Sequence, residues 1–285
     1  MISYSDNRED VLLARLFRGQ ANGFYIDVGA YHPTGSSITR HFYDLGWSGL
    51  NIEPNPSLHG LYATERPRDV TLEIAVSGEA GELEFWQGLS TDKGLSTLSA
   101  EEVERHRQAG FEFERRLVRV TTLAALCEQY ASGRTIDFLS VDVEGHERQV
   151  LLGADFERFR PRVVIVEATS PNTQEPTHQH WEYLLLAADY VFGAFDGVNR
   201  FYIRSEEADT LLPLLAVPVN VFDNYVSYET HVLREKMRLM PAVLASAAIG
   251  EGALAVARAL DAFYNRHPIL GAVAGRLRSL RRSRA

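Results

Sequence analysis

The sequence predicts an α/β protein built on a mostly parallel, Rossmann-like sheet of seven strands that ends in an antiparallel hairpin. Three observations support this class. Short apolar runs alternate with segments of helical spacing, as in successive β-α-β units. Several of these runs end in an acid or a glycine, which is typical of parallel strands that reach a ligand-binding edge. The last two strands are joined through Asp196-Gly197, a strong hairpin turn signal.

The first half of this sheet begins with the apolar run Phe24-Tyr-Ile-Asp-Val-Gly, which is typical of a buried parallel strand. A helix of apolar spacing follows and stops at Gly46, and the second strand is closed by Pro54, so a first β-α-β unit is complete. The expected ranges are residues 38–45 for the helix, 49–54 for the second strand, 57–65 for the next helix and 70–76 for the third strand.

An insertion is expected beside the core at residues 78–120, with an added hairpin strand at 82–87 and a polar helix at 101–110. The elements expected after it are a helix at 122–130, the fourth strand at 136–142, the fifth at 163–167 and the final pair at 190–195 and 200–204. We therefore predict one domain at residues 1–230, followed by a helical C-terminal appendage at residues 231–285.

The composition limits the classes of function. The formal net charge of -9 opposes the nonspecific attraction on which most nucleic-acid binders depend. A single cysteine, Cys127, allows no internal disulfide, and the first residues show no apolar secretory core. No window reaches the roughly 18 uninterrupted apolar residues that a membrane span needs. We expect a cytoplasmic protein that does not act on nucleic acid.

The appendage is rich in alanine and ends in a run of arginines. These are Arg276, Arg278, Arg281, Arg282 and Arg284. The simplest interpretation is a solvated tail, and the alternatives are contact with a membrane surface or docking onto a glycan-assembly partner. The sequence leaves the formation of a homo-oligomer open.

Small and polar residues follow the first two strands, at the edge where such sheets bind ligands. Asp27, Gly29 and Gly35 belong to the first loop, and Glu53 and Asn55 follow the second strand. An acid in the position of Glu53 can accept hydrogen bonds from both hydroxyls of a ribose. The loop lacks the Gly-x-Gly-x-x-Gly pattern typical of pyrophosphate binding. It suits a cofactor with a sulfonium, an amine and a carboxylate, although a plain strand-to-helix turn would show the same glycines.

A second cluster follows the fourth strand at the same edge, in Asp142-Val-Glu-Gly-His-Glu147. Three acids and a histidine within six residues are costly to crowd together unless they are hydrated or bind something. We therefore predict the reaction centre here. Asp142 and Glu144 could address a cofactor amine, a metal or an acceptor hydroxyl. His146 could act as a base or a ligand, or be an ordinary solvated residue.

Further candidates follow the fifth strand and lie in the insertion. Glu167 closes that strand at the same edge, and His178 and His180 come a short loop later. Histidines at this spacing are common in ordinary loops and do not establish a metal site. If a metal binds, the candidate ligands are Asp142, Glu144, Glu167 and His178. Ser96-Thr97-Leu98 is a candidate contact with the cofactor or the acceptor.

Several stretches occur in the order and spacing of one known family. They are Phe-Tyr-Ile-Asp-Val-Gly-Ala-Tyr (24–31), Leu-Gly-Trp-Ser-Gly-Leu-Asn-Ile-Glu-Pro-Asn-Pro (45–56), Ala-Val-Ser-Gly (75–78), Ile-Asp-Phe-Leu-Ser-Val-Asp-Val-Glu-Gly-His-Glu (136–147), Val-Leu-Leu-Gly (150–153) and Val-Ile-Val-Glu (164–167). Over roughly residues 5–205 the chain resembles the FkbM-type methyltransferases. This resemblance implies a class I methyltransferase fold, S-adenosylmethionine as donor, and O-methylation of sugars or natural products.

Position by position, the resemblance implies that Asp27 and Gly29 belong to the cofactor loop and that Glu53 contacts the ribose. It implies that Asp142 and Glu144 lie beside the transferred methyl group. The full predicted cofactor-binding set is Asp27, Gly29, Ala30, Tyr31, Thr34, Gly35, Glu53, Asn55, Ala75, Val76 and Asp142.

Two positions depart from the family pattern. Asp6 stands where such proteins often have glutamine, and His32-Pro33 lies inside the cofactor loop. A hydroxyl is a poor nucleophile until its proton is removed. We expect Asp142, Glu144 or His146 to remove it, with or without a divalent ion such as Mg²⁺ or Mn²⁺. The alternatives are N-methylation of an amino sugar or peptide, and a noncatalytic cofactor-binding module docked on a glycan-assembly complex.

Overall fold

The computed structural model describes residues 1–89, 93–246 and 262. The chain divides into a large compact unit, Tyr4–Asn224, and a smaller one that contains Met1–Ser3 and the chain from Tyr225 onward. The expected boundary at residue 230 stays a prediction, and the arginine-rich end lies outside the described residues. Within the described ranges, no helix is long and apolar enough to cross a membrane.

The strands and helices are numbered along the chain. The strands are β1 (Ile2–Ser3), β2 (Phe24–Val28), β3 (Ser48–Ile52), β4 (Val70–Leu72), β5 (Ala75–Val76), β6 (Gly81–Gly88), β7 (Phe113–Thr121), β8 (Phe138–Val141), β9 (Val163–Glu167), β10 (Tyr190–Phe195), β11 (Asn199–Arg204) and β12 (Val226–Ser227). The helices are α1 (Glu9–Leu16), α2 (Arg40–Asp44), α3 (Pro56–Glu65), α4 (Ala100–Gln108), α5 (Leu123–Tyr130), α6 (Glu147–Leu152), α7 (Glu182–Ala187), α8 (Ala208–Leu215) and α9 (Tyr228–Ser246). In the smaller unit, β1 pairs in parallel with β12.

The main sheet of the large unit has the strand order β10-β11-β9-β8-β2-β3-β4 over the described residues. Strands β4, β3, β2, β8 and β9 are parallel, whereas β11 runs antiparallel to both β9 and β10. The expected hairpin turn is present, since the Asp196 amide donates to the Asn199 carbonyl over 3.1 Å. The predicted α/β class and the mostly parallel sheet are confirmed.

Both faces of the central strands are buried, which explains their nearly continuous apolar sequences. Leu139 and Val164 belong to a core cluster on one face, and their neighbours Phe138 and Val163 belong to a second cluster on the other. Helices α5 and α6 contribute to the first cluster, and α1 and α8 to the second. The sheet is therefore the middle layer of three.

The strand register brings the predicted site residues to one edge. Val28 pairs with both Ile52 and Val141, and Val141 pairs with Val166. The next residue along the chain therefore comes to the same edge on each of these four strands. These residues are Gly29, Glu53, Asp142 and Glu167.

The predicted single strand at residues 70–76 is wrong. Only Val70–Leu72 joins the main sheet, as its edge strand β4. Ala75–Val76 forms β5 in a separate three-stranded sheet of order β5-β7-β6. Pairing with β7 buries both Ala75 and Val76, and that burial favours the departure of the chain from the main sheet.

The expected strand and polar helix of the insertion are present as β6 and α4. Strand β6 pairs along its whole length with β7. Strand β7 was not predicted. Most of β7 is exposed, so its sequence lacks the apolar face that marks a strand.

Candidate active site

The loop after β2 is shaped by close approach of two chain segments. Gly29 has a φ of +86°, and a Cβ placed there would lie only 1.7 Å from the Asp142 carbonyl oxygen. The Gly29 amide donates to the Ile52 carbonyl over 3.1 Å, and the Asp142 amide donates to Val28 over 3.0 Å. Only glycine can occupy this position without moving one of the two loops.

Glu53 is held by backbone donors. The amide of Tyr31 donates to its Oε2 over 2.9 Å, and the amide of Asn55 donates to its Oε1 over 2.7 Å. The residue is 5% exposed. Burial raises the pKa of Glu53 to about 8, although the two backbone donors oppose that shift. The sheet therefore presents a carboxyl group in a fixed orientation.

Asn55 begins the helix that follows. Its Oδ1 accepts from the amide of Ser57 over 3.0 Å, so the side chain caps α3. Its Nδ2 is buried and has no hydrogen-bond partner in the described part of the chain. A buried donor without a partner is unfavourable unless a ligand completes it.

The rest of the loop after β2 is internally hydrogen-bonded. The His32 ring accepts from the amides of Thr34 and Gly35 through Nδ1, over 3.1 and 3.0 Å. This gives the unusual His32 a structural role. The carbonyl of Ala30 accepts from the Tyr62 hydroxyl over 2.7 Å.

A cavity of about 170 Å³ opens at the same edge and is called the acidic cavity below. Predicted residues in its wall are Asp27, Gly29, Ala30 and Asp142. Its other wall residues were not predicted, and they are Ser5, Asp6, Asn7, Glu9, Ser36, Ile38, Ser140, Val198 and Asn199. Seven predicted cofactor residues do not line it: Tyr31, Thr34, Gly35, Glu53, Asn55, Ala75 and Val76.

Two of the unpredicted acids reach the acidic cavity from the amino-terminal segment. Glu9 is buried and accepts from Asn199 Nδ2 over 2.8 Å. Asp6 accepts from the hydroxyl of Ser36 over 3.0 Å. The only signal in the sequence was the charged run Asp6-Asn-Arg-Glu-Asp10, which has no apolar spacing to place it. The cavity wall therefore carries four acidic side chains, although burial raises the pKa of Glu9 to about 8 and keeps that carboxyl largely neutral at pH 7. The remaining negative charge favours a positively charged ligand.

Asp27 is the most deeply held acid of this wall and is only 3% exposed. It accepts from the Thr39 hydroxyl over 3.1 Å, and that hydroxyl in turn accepts from the buried Arg66 over 2.9 Å. Burial raises the pKa of Asp27 to about 7, while the charge of Arg66 opposes the shift. Arg66 also forms a buried ion pair of 2.7 Å with Asp69.

Three predicted acids converge after β8 and β9. Each of Asp142, Glu144 and Glu167 offers a carboxylate oxygen, and these oxygens lie within 4.8 Å of one another. This trio is called the carboxylate group below. Burial and the charges of neighbouring acids raise the pKa of Glu144 and of Glu167 well above the usual range. Asp142 is exposed at the cavity, and partial desolvation by the surrounding protein raises its pKa to about 6.

The loop between Asp142 and α6 holds Glu144 in an unusual backbone conformation. Glu144 has a φ of +54°, in the left-handed region. The Thr97 hydroxyl donates to the Glu144 carbonyl over 2.7 Å, so the insertion contacts this loop, and a contact of Ser96-Thr97-Leu98 with the cofactor or the acceptor stays a prediction. Glu147 accepts from the amides of Val143 and Gly145 over 3.2 and 3.0 Å. Strained residues that are held in this way cluster at functional sites.

The histidines lie outside the carboxylate group. His146 Nε2 is 3.0 Å from the Ser77 hydroxyl, and burial lowers the pKa of His146 to about 4. His178 and His180 form a separate short helical turn. Among the described residues, the metal-competent group contains neither His146 nor His178.

The region that contains these residues matches a known protein family. A family model described as the methyltransferase FkbM domain matches residues 27–192, more than half of the chain. A search of curated proteins found no match. The matched region contains Glu53, the carboxylate group and most of the main sheet. The chain therefore belongs to the FkbM methyltransferase family and is an S-adenosylmethionine-dependent methyltransferase.

Proposed function

We propose that this enzyme methylates a hydroxyl group of a sugar, a glycan, or a glycosylated or polyketide natural product. The observation that supports the proposal is the carboxylate group beside the acidic cavity. O-methylation needs a group that accepts the hydroxyl proton, and carboxyl groups with raised pKa values are suited to that task. We also infer that the large unit is a Rossmann-like class I methyltransferase domain, since its parallel sheet includes one antiparallel strand.

The residues present fit the donor. Each oxygen of Glu53 accepts one backbone N–H, and a carboxylate has about four acceptor sites, so acceptor capacity remains for both ribose hydroxyls. The unpartnered Nδ2 of Asn55 lies two residues away along the chain. The acidic cavity has a volume of only about 170 Å³, which suits a small cationic end of a ligand.

When bound, S-adenosylmethionine supplies a methyl group on a positively charged sulfur that already activates it for displacement. The protein then has two tasks. Asp142, with a pKa of about 6, places negative charge in the cavity wall at neutral pH, where it attracts and orients positive charge, and the partly ionised Asp27 adds to it. Glu53, fixed by the backbone, orients the nucleoside end.

The proton of the acceptor hydroxyl goes to the carboxylate group, with Glu144 as the first candidate. Burial and the charges of neighbouring acids raise the pKa of Glu144, so Glu144 must first release its own proton, and its ionised form is then a stronger base than an exposed carboxylate. Its Oε2 has no partner in the described chain. His146 is a weaker candidate, because its low pKa makes the ring a poor base and because Nε2 contacts Ser77.

N-methylation is the second candidate function, since the same negative charge would attract an amine acceptor. Family membership favours an enzyme over the noncatalytic module. The cytoplasmic location and the partner of the carboxyl-terminal tail stay predictions.

The first test is calorimetric titration of the full chain with S-adenosylmethionine and S-adenosylhomocysteine. We expect micromolar binding that Glu53→Ala loses and that the exposed Glu206→Ala retains, because Glu206 follows β11 at the opposite edge of the sheet, where it pairs with Arg160. Equal binding by both variants would contradict the role of Glu53. Acceptor screening with product analysis by NMR then separates a methyl ether from a methylamine, and products confined to amines would overturn O-methylation.

A further inference from the structure

We propose that Asp142, Glu144 and Glu167 form a binding site for one divalent cation, Mg²⁺ or Mn²⁺. The proposal deepens the proposed function and rests on it in one respect, because the cation would act at the same carboxylates as methyl transfer.

The spacing of the carboxylate group fits a small cation. An oxygen-ligated Mg²⁺ lies about 2.1 Å from each ligand, so its ligand oxygens are about 3 to 4.2 Å apart. The three carboxylate oxygens, one from each side chain, already lie within 4.8 Å of one another. A cation therefore requires only small side-chain movements.

Unpartnered atoms supply an independent observation. Glu167 is 7% exposed and its carboxyl group interacts with that of Asp142, yet its Oε2 is buried without a hydrogen-bond partner in the described residues. The same holds for Oε2 of Glu144. Buried acceptor atoms that face other acids are strongly unfavourable unless a proton or a cation joins them. Glu53 differs, since backbone N–H groups satisfy both of its oxygens.

The ligand set selects the class of metal. All three ligands are hard carboxylate oxygens, and neither histidine nor cysteine joins them in the described chain. Such a set favours Mg²⁺ or Mn²⁺ over Zn²⁺ or Cu²⁺. Asp142 is open to the acidic cavity, so positions remain for water and for an acceptor hydroxyl. A cation there would lower the pKa of that hydroxyl.

The backbone fixes this arrangement before any ligand arrives. Asp142 and Glu167 are placed by the register of β8 and β9. Glu144 is turned by its left-handed φ and held by the hydrogen bond from Thr97. Each carboxylate has two oxygens, so Glu144 can ligate the cation through one and still accept a proton at the other.

The test is Mn²⁺ binding to the full, chelator-treated chain without S-adenosylmethionine, followed by electron paramagnetic resonance and calorimetry. We expect one Mn²⁺ per chain, competed by Mg²⁺, and at least a tenfold loss of affinity in Glu167→Gln. Asp142→Asn is the second variant, because an exposed position tolerates substitution better. Glu207→Gln is the control, since Glu207 is a partly buried acid that pairs with Arg162 and lies outside the group. It should bind as the wild type does.

Absence of Mn²⁺ binding at millimolar concentration would overturn the proposal, as would unchanged affinity in both ligand variants of normal thermal stability. The outcomes also separate this proposal from the proposed function. Glu53→Ala should bind Mn²⁺ normally while losing S-adenosylmethionine. A protein that binds Mn²⁺ but methylates no hydroxyl would keep the cation site and lose the proposed reaction.

Discussion

Glu53, after β3, and the acids Glu144 and Glu167, after β8 and at the end of β9, differ in their hydrogen bonds. Burial raises the pKa of Glu53 and of Glu167, so both resist ionisation. Glu53 accepts two backbone N–H groups, whereas Glu167 and Glu144 each keep a buried oxygen without a donor. A carboxylate satisfied by backbone is fixed in place and can orient a ligand. A buried carboxyl oxygen without a donor is stable only when a proton or a cation joins the group.

The largest effect on activity should come from Glu144, one of the acids that keeps a buried oxygen without a donor. Glu144→Gln keeps the shape of the side chain but removes its charge and basicity. We expect kcat to fall by about 10²- to 10⁴-fold, because a base is lost, while affinity for S-adenosylmethionine changes less than about threefold. Mass-spectrometric turnover assays with an identified acceptor, together with calorimetry, measure both. Glu175→Gln, an exposed loop acid, is the control. Wild-type turnover by Glu144→Gln would move the base elsewhere.

The next largest effect should come from the contact between the two sides. Gly29→Ala places a methyl group against the Asp142 carbonyl at a left-handed φ. We expect a loss of about 3 kcal/mol or more in the free energy of unfolding, measured by denaturant titration. Gly60→Ala is the matched control, because Gly60 lies within α3 with nothing close to its Cβ position and alanine favours helices. Equal stability of the two variants would refute the close approach.

The sequence correctly places a residue at the ligand edge of the sheet when that residue directly follows a strand. Asp142, Glu53 and Glu167 follow apolar runs, and parallel strands bring such positions together. The close approach of the carboxylate oxygens of Asp142, Glu144 and Glu167 cannot be predicted from strand positions alone. It depends on the φ of Glu144 and on the hydrogen bond from Thr97, which is 47 residues away in the chain.

The acidic cavity was predicted only in part, for a related reason. Glu9 comes from the first helix and Asn199 from the last strand of the main sheet, 190 residues apart. No local period links such residues. The two strands of the insertion were partly missed because β7 exposes most of its side chains. Sequence patterns report burial along one element, whereas these features depend on contacts between distant elements.

His146 differs from Glu144, the other predicted base, because its Nε2 lies within hydrogen-bonding distance of the Ser77 hydroxyl. Its pKa is about 4 in the folded protein against an ordinary value of 6.5, so protonation favours unfolding. Its contribution to stability is complete above pH 6.5 and is lost as the pH falls through 4. The loss is at most about 3 kcal/mol. We expect His146→Asn to lose less stability than the wild type between pH 7 and pH 4.5 in denaturant titrations, whereas parallel curves would contradict the shift.

The smallest effect should come from the one unsatisfied donor on the cofactor side, Nδ2 of Asn55. Asn55→Ser keeps a good helix cap but removes that donor. If a ligand completes Nδ2, affinity for S-adenosylhomocysteine should fall by about fivefold, equivalent to about 1 kcal/mol, with little change in stability. Asn220→Ser is the matched control, because Asn220 also caps a helical turn but its Nδ2 donates to Pro218. Unchanged affinity in Asn55→Ser would mean that the cofactor side holds its ligand through acceptors alone. Glu53 and the carboxylate group would then differ only in their backbone hydrogen bonds, and the unpartnered Nδ2 of Asn55 would have no role in binding.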